Sequence, residues 1–243
     1  MDYWQHVTQL AATCDQKALQ AQVTAMRDWR RAVQAQRLPQ TALPPLGLDP
    51  LTWLGEPEGV ARRLQAFDHL ARHFRQYIAY HFGMWAFVQR DFFASWQAAF
   101  GPMRYLEVAA GNGYVSRGLQ EVGNQVITTD PLAWVSHNVT GQTPLVPLQQ
   151  AGASAALWRY GDQVDAVVMA WSPDNEWSDA SFLLTLRRSF PQLRLFVIGE
   201  RRGATNSTLF WQLAQFVPDR RLLTVNRALP RFDAINERLY LMR

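Results

Sequence analysis

The sequence predicts an α/β fold, with a doubly wound, mostly parallel, Rossmann-like sheet that follows an N-terminal helical region. The strongest signal is a predicted buried strand at residues 105–109, a glycine turn at 111–113, a helical stretch at 114–122 and a second predicted strand at 125–129. Two neighbouring parallel strands joined by a crossover helix need about this many residues. A continuous apolar run at residues 165–170 is typical of a strand buried on both faces of such a sheet.

The first hundred residues predict helices. Apolar side chains recur at helical spacing over residues 2–37. The prolines of the segment 38–50 then exclude a continuous helix and indicate a turn-rich connector. Helical periodicity returns over residues 56–82 and again over 85–100, where Gly101-Pro102 ends it.

Helices and strands alternate through the rest of the chain until its last two predicted strands, which have no evident helix between them. This pattern favours a doubly wound sheet that ends in a hairpin-like pair. The predicted elements after residue 130 are a weak strand at 145–148, helices at 151–160, 178–190 and 206–216, and strands at 165–170, 193–199, 221–225 and 237–242.

The composition narrows the class of protein. Hydrophobic residues make up 48% of the 243, which is ample for a packed core. The longest apolar runs, such as residues 193–199, are too short to span a bilayer, and the N-terminus lacks the pattern of a secretory signal. A lone cysteine, Cys14, excludes an internal disulfide and disfavours a cysteine-built metal site. We therefore expect a cytoplasmic protein with no membrane partner.

The formal net charge of +4 includes a single lysine, Lys17, so nearly all the cationic side chains are arginines. Arginine binds phosphate well through its planar guanidinium group, which raises the question of nucleic-acid binding. The arginine pairs are dispersed along the chain and form no long basic stripe. Composition therefore does not indicate a nucleic-acid partner, although it leaves one open.

The residues around the first two strands indicate a nucleotide-type site. Asp130 ends the second strand and is expected to lie over the glycine turn of the first, where a ribose would sit. Gly111 and Gly113 match the first two glycines of a dinucleotide motif, but Ser116 stands at the third position. No phosphate-binding loop with a lysine is present. A cofactor with a ribose but without phosphates therefore fits better.

The run from Leu106 to Tyr114 resembles the first motif of class I S-adenosylmethionine-dependent methyltransferases, an acid followed by spaced glycines. The resemblance places Glu107 near the methionine part of S-adenosylmethionine and Asp130 at the ribose hydroxyls. Ala109 departs from the motif, because the family usually has its first glycine there. The resemblance covers roughly residues 77–243 and implies a seven-stranded sheet with an antiparallel last strand.

The family's fourth strand ends in residues that face the substrate, which in this chain are those from Ala170 to Asn175. Ser172-Pro173-Asp174 keeps one proline of the loop that some amino-methylating members carry and lacks the aromatic residue after it. The resemblance therefore implies no particular acceptor, and Ser172 and Asp174 are the candidate catalytic residues. The candidate cofactor-binding residues are Glu107, Ala109, Gly111, Gly113, Tyr114, Asp130, Pro131, Ala170 and Trp171.

A second stretch, residues 199–205, reads Gly-Glu-x-x-Gly-x-Thr. It resembles a loop after the fifth strand of uncharacterised methyltransferase-like proteins, which also share the Gly113-Tyr114 pair. This resemblance bears on the fold more than on the substrate.

Taken together, these features predict an S-adenosylmethionine-dependent methyltransferase acting on an unidentified small molecule or peptide. We expect a helical cap over residues 1–100, a cofactor-binding domain over 101–243 and no metal. Methyl transfer by in-line displacement needs alignment of the reactants rather than a catalytic cluster. Two alternatives remain: a methyltransferase-like binding or scaffold protein without activity, motivated by Ala109, and a nucleic-acid methyltransferase.

Overall fold

The computed structural model describes residues 2–14 and 16–243. Within this part of the chain, strands and helices form one mixed α/β unit, and no helix combines the length and apolarity needed to cross a membrane. The helices are α1 (Tyr3–Ala12), α2 (Lys17–Gln34), α3 (Glu58–Arg72), α4 (Phe74–Phe82), α5 (Arg90–Phe100), α6 (Tyr114–Glu121), α7 (Ala153–Tyr160), α8 (Ser178–Ser189), α9 (Thr208–Leu213) and α10 (Arg221–Arg227).

The sheet of the described residues has six strands in the order β3-β2-β1-β4-β5-β6. Neighbouring strands are parallel except for β5 and β6, which pair antiparallel. The predicted fold class is confirmed, with six strands instead of the expected seven. The strands are β1 (Arg104–Val108), β2 (Gln125–Asp130), β3 (Gln149–Gln150), β4 (Ala166–Ala170), β5 (Arg194–Gly199) and β6 (Arg238–Met242).

The missing strand is explained by residues 221–225, which form the first turns of α10 instead. Leu222, Val225 and Leu229 stand three and four residues apart, and Val225 and Leu229 are buried, so their spacing is that of a helix face. Asp219 favours the helix further, because its carboxylate accepts a hydrogen bond from the Arg221 amide at 2.9 Å. The prediction of a strand here was wrong, because the apolar residues suit either structure and their spacing matches a helix face.

The weak strand expected at residues 145–148 is also displaced, since the third strand consists of Gln149–Gln150 alone. Residues 145 and 146 contact the glycine turn. The Leu145 amide donates to the Asn112 carbonyl at 2.9 Å, and a Cβ at Gly113 would lie 2.9 Å from Val146 Cγ2. This segment therefore covers the turn before it enters the sheet.

Helices α1 to α5 share one hydrophobic core with a face of the sheet. The fully buried indole of Trp96 on α5 lies 5.0 Å from the ring of Phe196 on β5 and 5.9 Å from that of Tyr105 on β1, between ring centroids. Helices α7, α8 and α9 cover the other face with a second cluster. The two-sided covering explains the continuous apolar runs of the central strands.

Three predicted helices differ clearly in extent from those observed, and the one expected over 206–216 is confined to Thr208–Leu213. The stretch 56–82 is divided into α3 and α4 at His73, and the helix expected over 85–100 begins only at Arg90. Residues 84–89 instead form a loop, and the Phe87 amide donates to the carboxylate of Glu237. This loop brings Trp85 to the carboxyl edge of the sheet, where it lines the cavity described below.

Candidate functional site

A cavity of about 790 Å³ opens at the carboxyl ends of β1, β2 and β4. This is the edge at which open α/β sheets bind their ligands. Every residue predicted for the site lines the cavity except Gly113, the last residue of the turn. Those that line it are Glu107, Ala109, Gly111, Tyr114, Asp130, Pro131, Ala170, Trp171, Ser172 and Asp174. Their roles as ligands stay a prediction.

The glycine turn and the two residues before it, together residues 109–113, have an unusual backbone conformation. Ala109 has φ +53°, in the left-handed region that disfavours residues with a Cβ. Gly113 has φ +72° and forms the N-cap of α6. The resemblance places a glycine at position 109, and the positive φ gives the physical reason. Strain at a cavity wall is typical of functional sites.

Asp130 joins the tip of β2 to the turn. Its Oδ2 accepts a hydrogen bond from the Gly111 amide at 2.8 Å, and its Oδ1 accepts one from the Leu132 amide at 2.7 Å. The side chain is buried and lines the cavity. Because a carboxylate offers about four acceptor positions, Asp130 can still accept hydrogen bonds from a ligand.

Glu107 closes the N-terminus of α6. Its Oε2 accepts the Ser116 amide at 2.7 Å together with the Ser116 hydroxyl, which in turn accepts the hydroxyl of Thr128 at 2.6 Å. Burial raises the pKa of Glu107 to about 8; the hydrogen bonds from Ser116 oppose this rise, and the charge of Asp130 adds to it. Ser116, which interrupts the glycine pattern, is therefore the partner of the motif's acid.

Asn112 is a buried residue of the turn that sequence reasoning missed. Its Oδ1 accepts the Gly141 amide at 2.7 Å, and its Nδ2 donates to the carbonyls of Phe82 and Val139 at 3.0 and 3.2 Å. Tyr114 also donates to the Phe82 carbonyl, at 3.1 Å. These bonds connect the turn to the end of α4 and to the segment after β2. In the sequence, only the position of Asn112 between Gly111 and Gly113 could have indicated this role.

Trp171 at the end of β4 is strained as well, with φ +52°. Its indole Nε1 donates to Glu237 at 2.5 Å, and the same carboxylate accepts Arg75 Nη1 at 3.2 Å. Arg75 also binds Asp233 at 2.6 Å, and its guanidinium carbon lies 5.0 Å from the Trp171 ring centroid. Burial raises the pKa of Glu237, against the opposing effects of Arg75, Trp171 and the Phe87 amide. The partners lie far apart in the chain, so no local pattern predicted this network.

The loop after β4 is tied to the loop after β5. Asp179, at the start of α8, accepts hydrogen bonds from the Ser207 amide at 2.7 Å, the Ser207 hydroxyl at 2.8 Å and the Asn206 side chain at 3.2 Å. The Asn206 amide donates to the Ser172 carbonyl at 2.8 Å. Ser172 is thereby buried in the cavity wall, whereas Asp174 is exposed at the rim.

The Gly-Glu-x-x-Gly-x-Thr loop is stabilised by hydrogen bonds between its own residues. Glu200 Oε2 accepts the Ala204 amide at 3.0 Å, Glu200 Oε1 accepts the Asn236 amide at 2.7 Å, and the Glu200 amide donates to the Thr205 hydroxyl at 2.9 Å. These contacts give the motif a structural role. Glu200 stabilises the loop and does not line the cavity.

The ionisable side chains that line the cavity in the described part of the chain include carboxyls but no cationic groups. Among the described residues that line it, none is lysine, arginine or histidine, although the chain has 24 Lys and Arg residues. No lining carboxyl forms an ion pair with a described residue. The carboxyl side chains that line the cavity are Glu107, Asp130, Asp174, Glu176 and Asp179.

Comparison with solved structures gives matches at low identity. The plantazolicin methyltransferase BpumL in complex with SAH aligns at 10% identity and a TM-score of 0.41, over 80% of this chain and 93% of BpumL. The apo S-adenosylmethionine-dependent methyltransferase SibL aligns at 11% and 0.36, over 98% and 74%. Human N-acetylserotonin methyltransferase with SAM aligns at 13% and 0.38, over 94% and 67%.

No protein-family model matches the sequence, and no curated protein matches it.

Proposed function

We propose that the chain transfers a methyl group from S-adenosylmethionine to a small molecule or peptide. The observation that carries the proposal is the N-terminus of α6, where the Glu107 carboxylate accepts the Ser116 amide. A dinucleotide site uses this helix end to bind pyrophosphate. Here the Glu107 carboxyl occupies it, and no described cationic side chain lines the cavity to bind a phosphate. The site thus favours a nucleoside cofactor without phosphates, and the acidic side chains of Asp130 and Asp174 suit one that carries positive charge.

S-adenosylmethionine meets this description and supplies, when bound, a methyl group on a sulfonium centre that a nucleophile can accept. The cavity volume lies within the range of about 300–1,000 Å³ that is usual for ligand sites. The turn residues Ala109 and Gly111 let the backbone line the wall directly. The residues and the proposed cofactor therefore fit in size, charge and polarity.

Individual residues are assigned roles under this proposal. Asp130 binds the ribose hydroxyls with the acceptor positions that Gly111 and Leu132 leave free. Glu107 faces the methionine part with its Oε1, because only its Oε2 accepts hydrogen bonds from described residues. Tyr114 shapes the wall, held by its bond to Phe82. Pro131, Ala170 and Trp171 complete the cofactor surface.

The acceptor side includes Ser172 and Asp174. Asp174 makes no hydrogen bond with a described side chain and is exposed at the rim, where it is placed to take a proton from an acceptor. The Ser172 hydroxyl is available to orient that acceptor. The loop 84–89 and α4 lie at the cavity through Trp85 and Tyr80, so the helical region contributes to acceptor choice.

Calorimetric titration tests the cofactor assignment. We expect S-adenosylmethionine and S-adenosylhomocysteine to bind, and NAD⁺, whose pyrophosphate the site does not accommodate, to bind far more weakly. Failure of both adenosyl compounds to bind at concentrations up to about a millimolar would overturn the proposal.

Asp130→Asn tests the ribose contact better than Asp130→Ala, because the amide oxygen can still accept one of the two backbone amides. We expect it to weaken S-adenosylhomocysteine binding about 10- to 100-fold, the usual effect of losing a charged hydrogen bond. Asp162→Asn, which removes an exposed acid before β4 at the opposite edge of the sheet, is the matched control and should bind normally. Equal affinities for both variants would show that the ribose contact is misassigned.

The alternative of a methyltransferase-like binding or scaffold protein differs from the proposed function only in that no methyl group is transferred. It predicts cofactor binding without methylation of any acceptor in a screen with radiolabelled S-adenosylmethionine. No described residue lining the cavity favours a nucleic-acid acceptor, since none carries a positive charge.

A further inference from the structure

The rim of the cavity carries negative charge that no protein group neutralises. Of the five lining carboxyls, Asp179 is saturated by hydrogen bonds from Ala180, Asn206 and Ser207. Two more, Glu107 and Asp130, belong to the cofactor side. The remaining two, Asp174 and Glu176, are called the rim carboxyls below.

The rim carboxyls are free to bind a ligand. Asp174 has no hydrogen bond from a described side chain, and Glu176 has one contact, to the Ser178 hydroxyl at 3.4 Å. No cationic side chain in the described part of the chain lies within ion-pair distance of either. In a chain with a net charge of +4, this unneutralised pair creates a local negative potential that attracts cations.

Aromatic rings line the same cavity. The rings of Tyr80 and Trp85 meet edge to face with centroids 5.5 Å apart, and Trp85 lies 6.4 Å from Trp171. The Trp85 indole is fixed by a hydrogen bond to the Thr140 hydroxyl at 3.0 Å. Indole and phenol faces attract organic cations through the ring quadrupole and also contact apolar groups. The wall therefore suits a cation attached to an apolar body.

A hydroxyl in the cavity wall provides an independent indication of a ligand. Ser172 as a residue is only 5% exposed, and its hydroxyl, which keeps its accessible surface toward the cavity, makes no hydrogen bond with a described residue. Buried polar groups normally have partners. The Ser172 hydroxyl can therefore accept a hydrogen bond from a bound ammonium group.

We infer that the acceptor side of the cavity binds an amine, delivered as its ammonium ion and carrying an apolar or aromatic group, from a small molecule or a peptide N-terminus. The inference rests on the proposed function, of which it names the acceptor class. The rim carboxyls attract the charge, the rings of Tyr80 and Trp85 contact the apolar body, and Ser172 orients the nitrogen. For methyl transfer the ammonium first loses a proton to Asp174, and the nitrogen lone pair then forms the bond to the methyl carbon as the bond between that carbon and the sulfonium sulfur breaks. Carboxylate and phosphate acceptors are repelled by the same charges.

The test compares ligands of similar size and opposite charge. Protein saturated with S-adenosylhomocysteine is titrated at pH 7.5 with 2-phenylethylamine, 3-phenylpropanoate and 2-phenylethanol, with ligand-observed NMR as the readout. Phenylalanylglycinamide and its N-acetyl form provide the peptide arm. We expect the free amine of at least one arm to bind about tenfold or more tightly than its uncharged or anionic counterpart.

A double variant, Asp174→Asn with Glu176→Gln, should reduce amine binding about tenfold and leave 2-phenylethanol unaffected. Asp162→Asn serves as the charge control, and an unchanged melting temperature shows that each variant is folded. Binding of 3-phenylpropanoate as tight as that of the amine would overturn the inference, as would the absence of amine binding in both arms.

The outcome separates the two proposals. S-adenosylhomocysteine binding without amine preference rejects the acceptor class and keeps the proposed function. Loss of S-adenosylhomocysteine binding rejects the proposed function. The amine titration of the free protein would then still report whether the cavity selects cations.

Discussion

Ala109 is the residue at which backbone strain lowers stability most clearly, because it carries a Cβ and has a φ of +53°. A left-handed conformation costs an L-residue roughly 1–2 kcal/mol, part of which glycine offsets by its larger entropy in the unfolded chain. The neighbouring Ala110 has no positive φ and provides a matched control. The two alanines both line the cavity and differ in backbone conformation.

We predict that Ala109→Gly raises the free energy of unfolding by up to about 1 kcal/mol, or about 2–4 °C in melting temperature. Ala110→Gly should lower stability by roughly 0.5–1 kcal/mol. Urea unfolding of both variants measures the difference. A loss of stability in Ala109→Gly comparable to that of Ala110→Gly would show that the turn is not strained at residue 109.

Glu107 should make stability depend on pH. Its pKa rises from 4.5 to about 8 on folding, because burial disfavours the carboxylate, so the folded state binds more protons than the unfolded state between these values. The free energy of unfolding therefore falls as pH rises from about 4.5 to about 8, by at most about 1.4 kcal/mol per pH unit. Below this window the contribution is constant.

Glu107→Gln removes the titration while it keeps an oxygen that can accept the Ser116 amide. We predict that stability of the wild type, measured against that of the variant by urea unfolding between pH 5 and 9, declines with rising pH. Parallel curves for the two proteins would contradict the assignment of this carboxyl.

At the scale of elements, the network around Arg75 joins α4, the end of β4 and the start of β6. Removing the Glu237 carboxylate leaves Arg75 paired with Asp233 and weakens the hydrogen bonds that Arg75 and Trp171 donate to Glu237, and a hydrogen bond to a charged group contributes about 1.5–3 kcal/mol. Because Glu237 also accepts from Trp171, its loss should loosen the strained end of β4 as well. The network supports the cavity wall from behind.

We predict that Glu237→Gln lowers the free energy of unfolding by about 1.5–3 kcal/mol and alters tryptophan fluorescence. Glu200→Gln, which changes an acid that binds two backbone amides outside the network, is the comparison. If the two variants are destabilised equally, the pairing with Arg75 contributes no special stability.

The sequence predicted the elements that repeat a simple pattern. Strands β4 and β5 were predictable because strands covered on both faces are continuous apolar runs. Strands β1 and β2 were predictable from their place on either side of the glycine turn and helix α6. Residues 221–225 were assigned to a strand because their apolar side chains suit either structure, and the α5 packing that decides between them is not local. The position of β3 depended on Asn112 and Gly113, which hold residues 145 and 146 on the turn.

The candidate site was predictable where one segment carries it. Glu107, Gly111 and Asp130 lie within a single strand–helix–strand unit, and the fold brings them to one cavity. Arg75 and Glu237 meet only through the fold, across 162 positions of sequence. The absence of cationic side chains from the described cavity wall could not be predicted from the sequence. The chain is rich in arginine, and only the fold shows that none of these arginines lines the cavity.

At the scale of the whole molecule, the helices of residues 1–100 and the sheet share one core. The side chains of Phe93 and Trp96 are fully buried, and Trp96 packs against rings on β1 and β5. Removing this region would expose an apolar sheet face of the kind that drives aggregation. The predicted boundary at residue 100 therefore separates two proposed functions, a cap and a cofactor-binding region. Residues from both regions line the cavity.

We predict that a fragment of residues 101–243 does not unfold cooperatively and aggregates, whereas the chain of residues 1–243 shows a single transition. Circular dichroism during urea titration, with light scattering, distinguishes the two results. A cooperative transition in the fragment would show that the sheet region is stable by itself.

The position of β6 has a consequence for the order in which the molecule can be completed. This strand follows all the others in the chain, yet it pairs with β5, and Glu237 just before it holds Trp171 and Arg75. A ribosome therefore releases every other part of the cavity wall before it releases the residue that fixes the end of β4. A nascent chain that ends before Glu237 leaves Arg75 with one acidic partner fewer and β5 with an open edge, and such an edge is a target for chaperones until β6 pairs with β5.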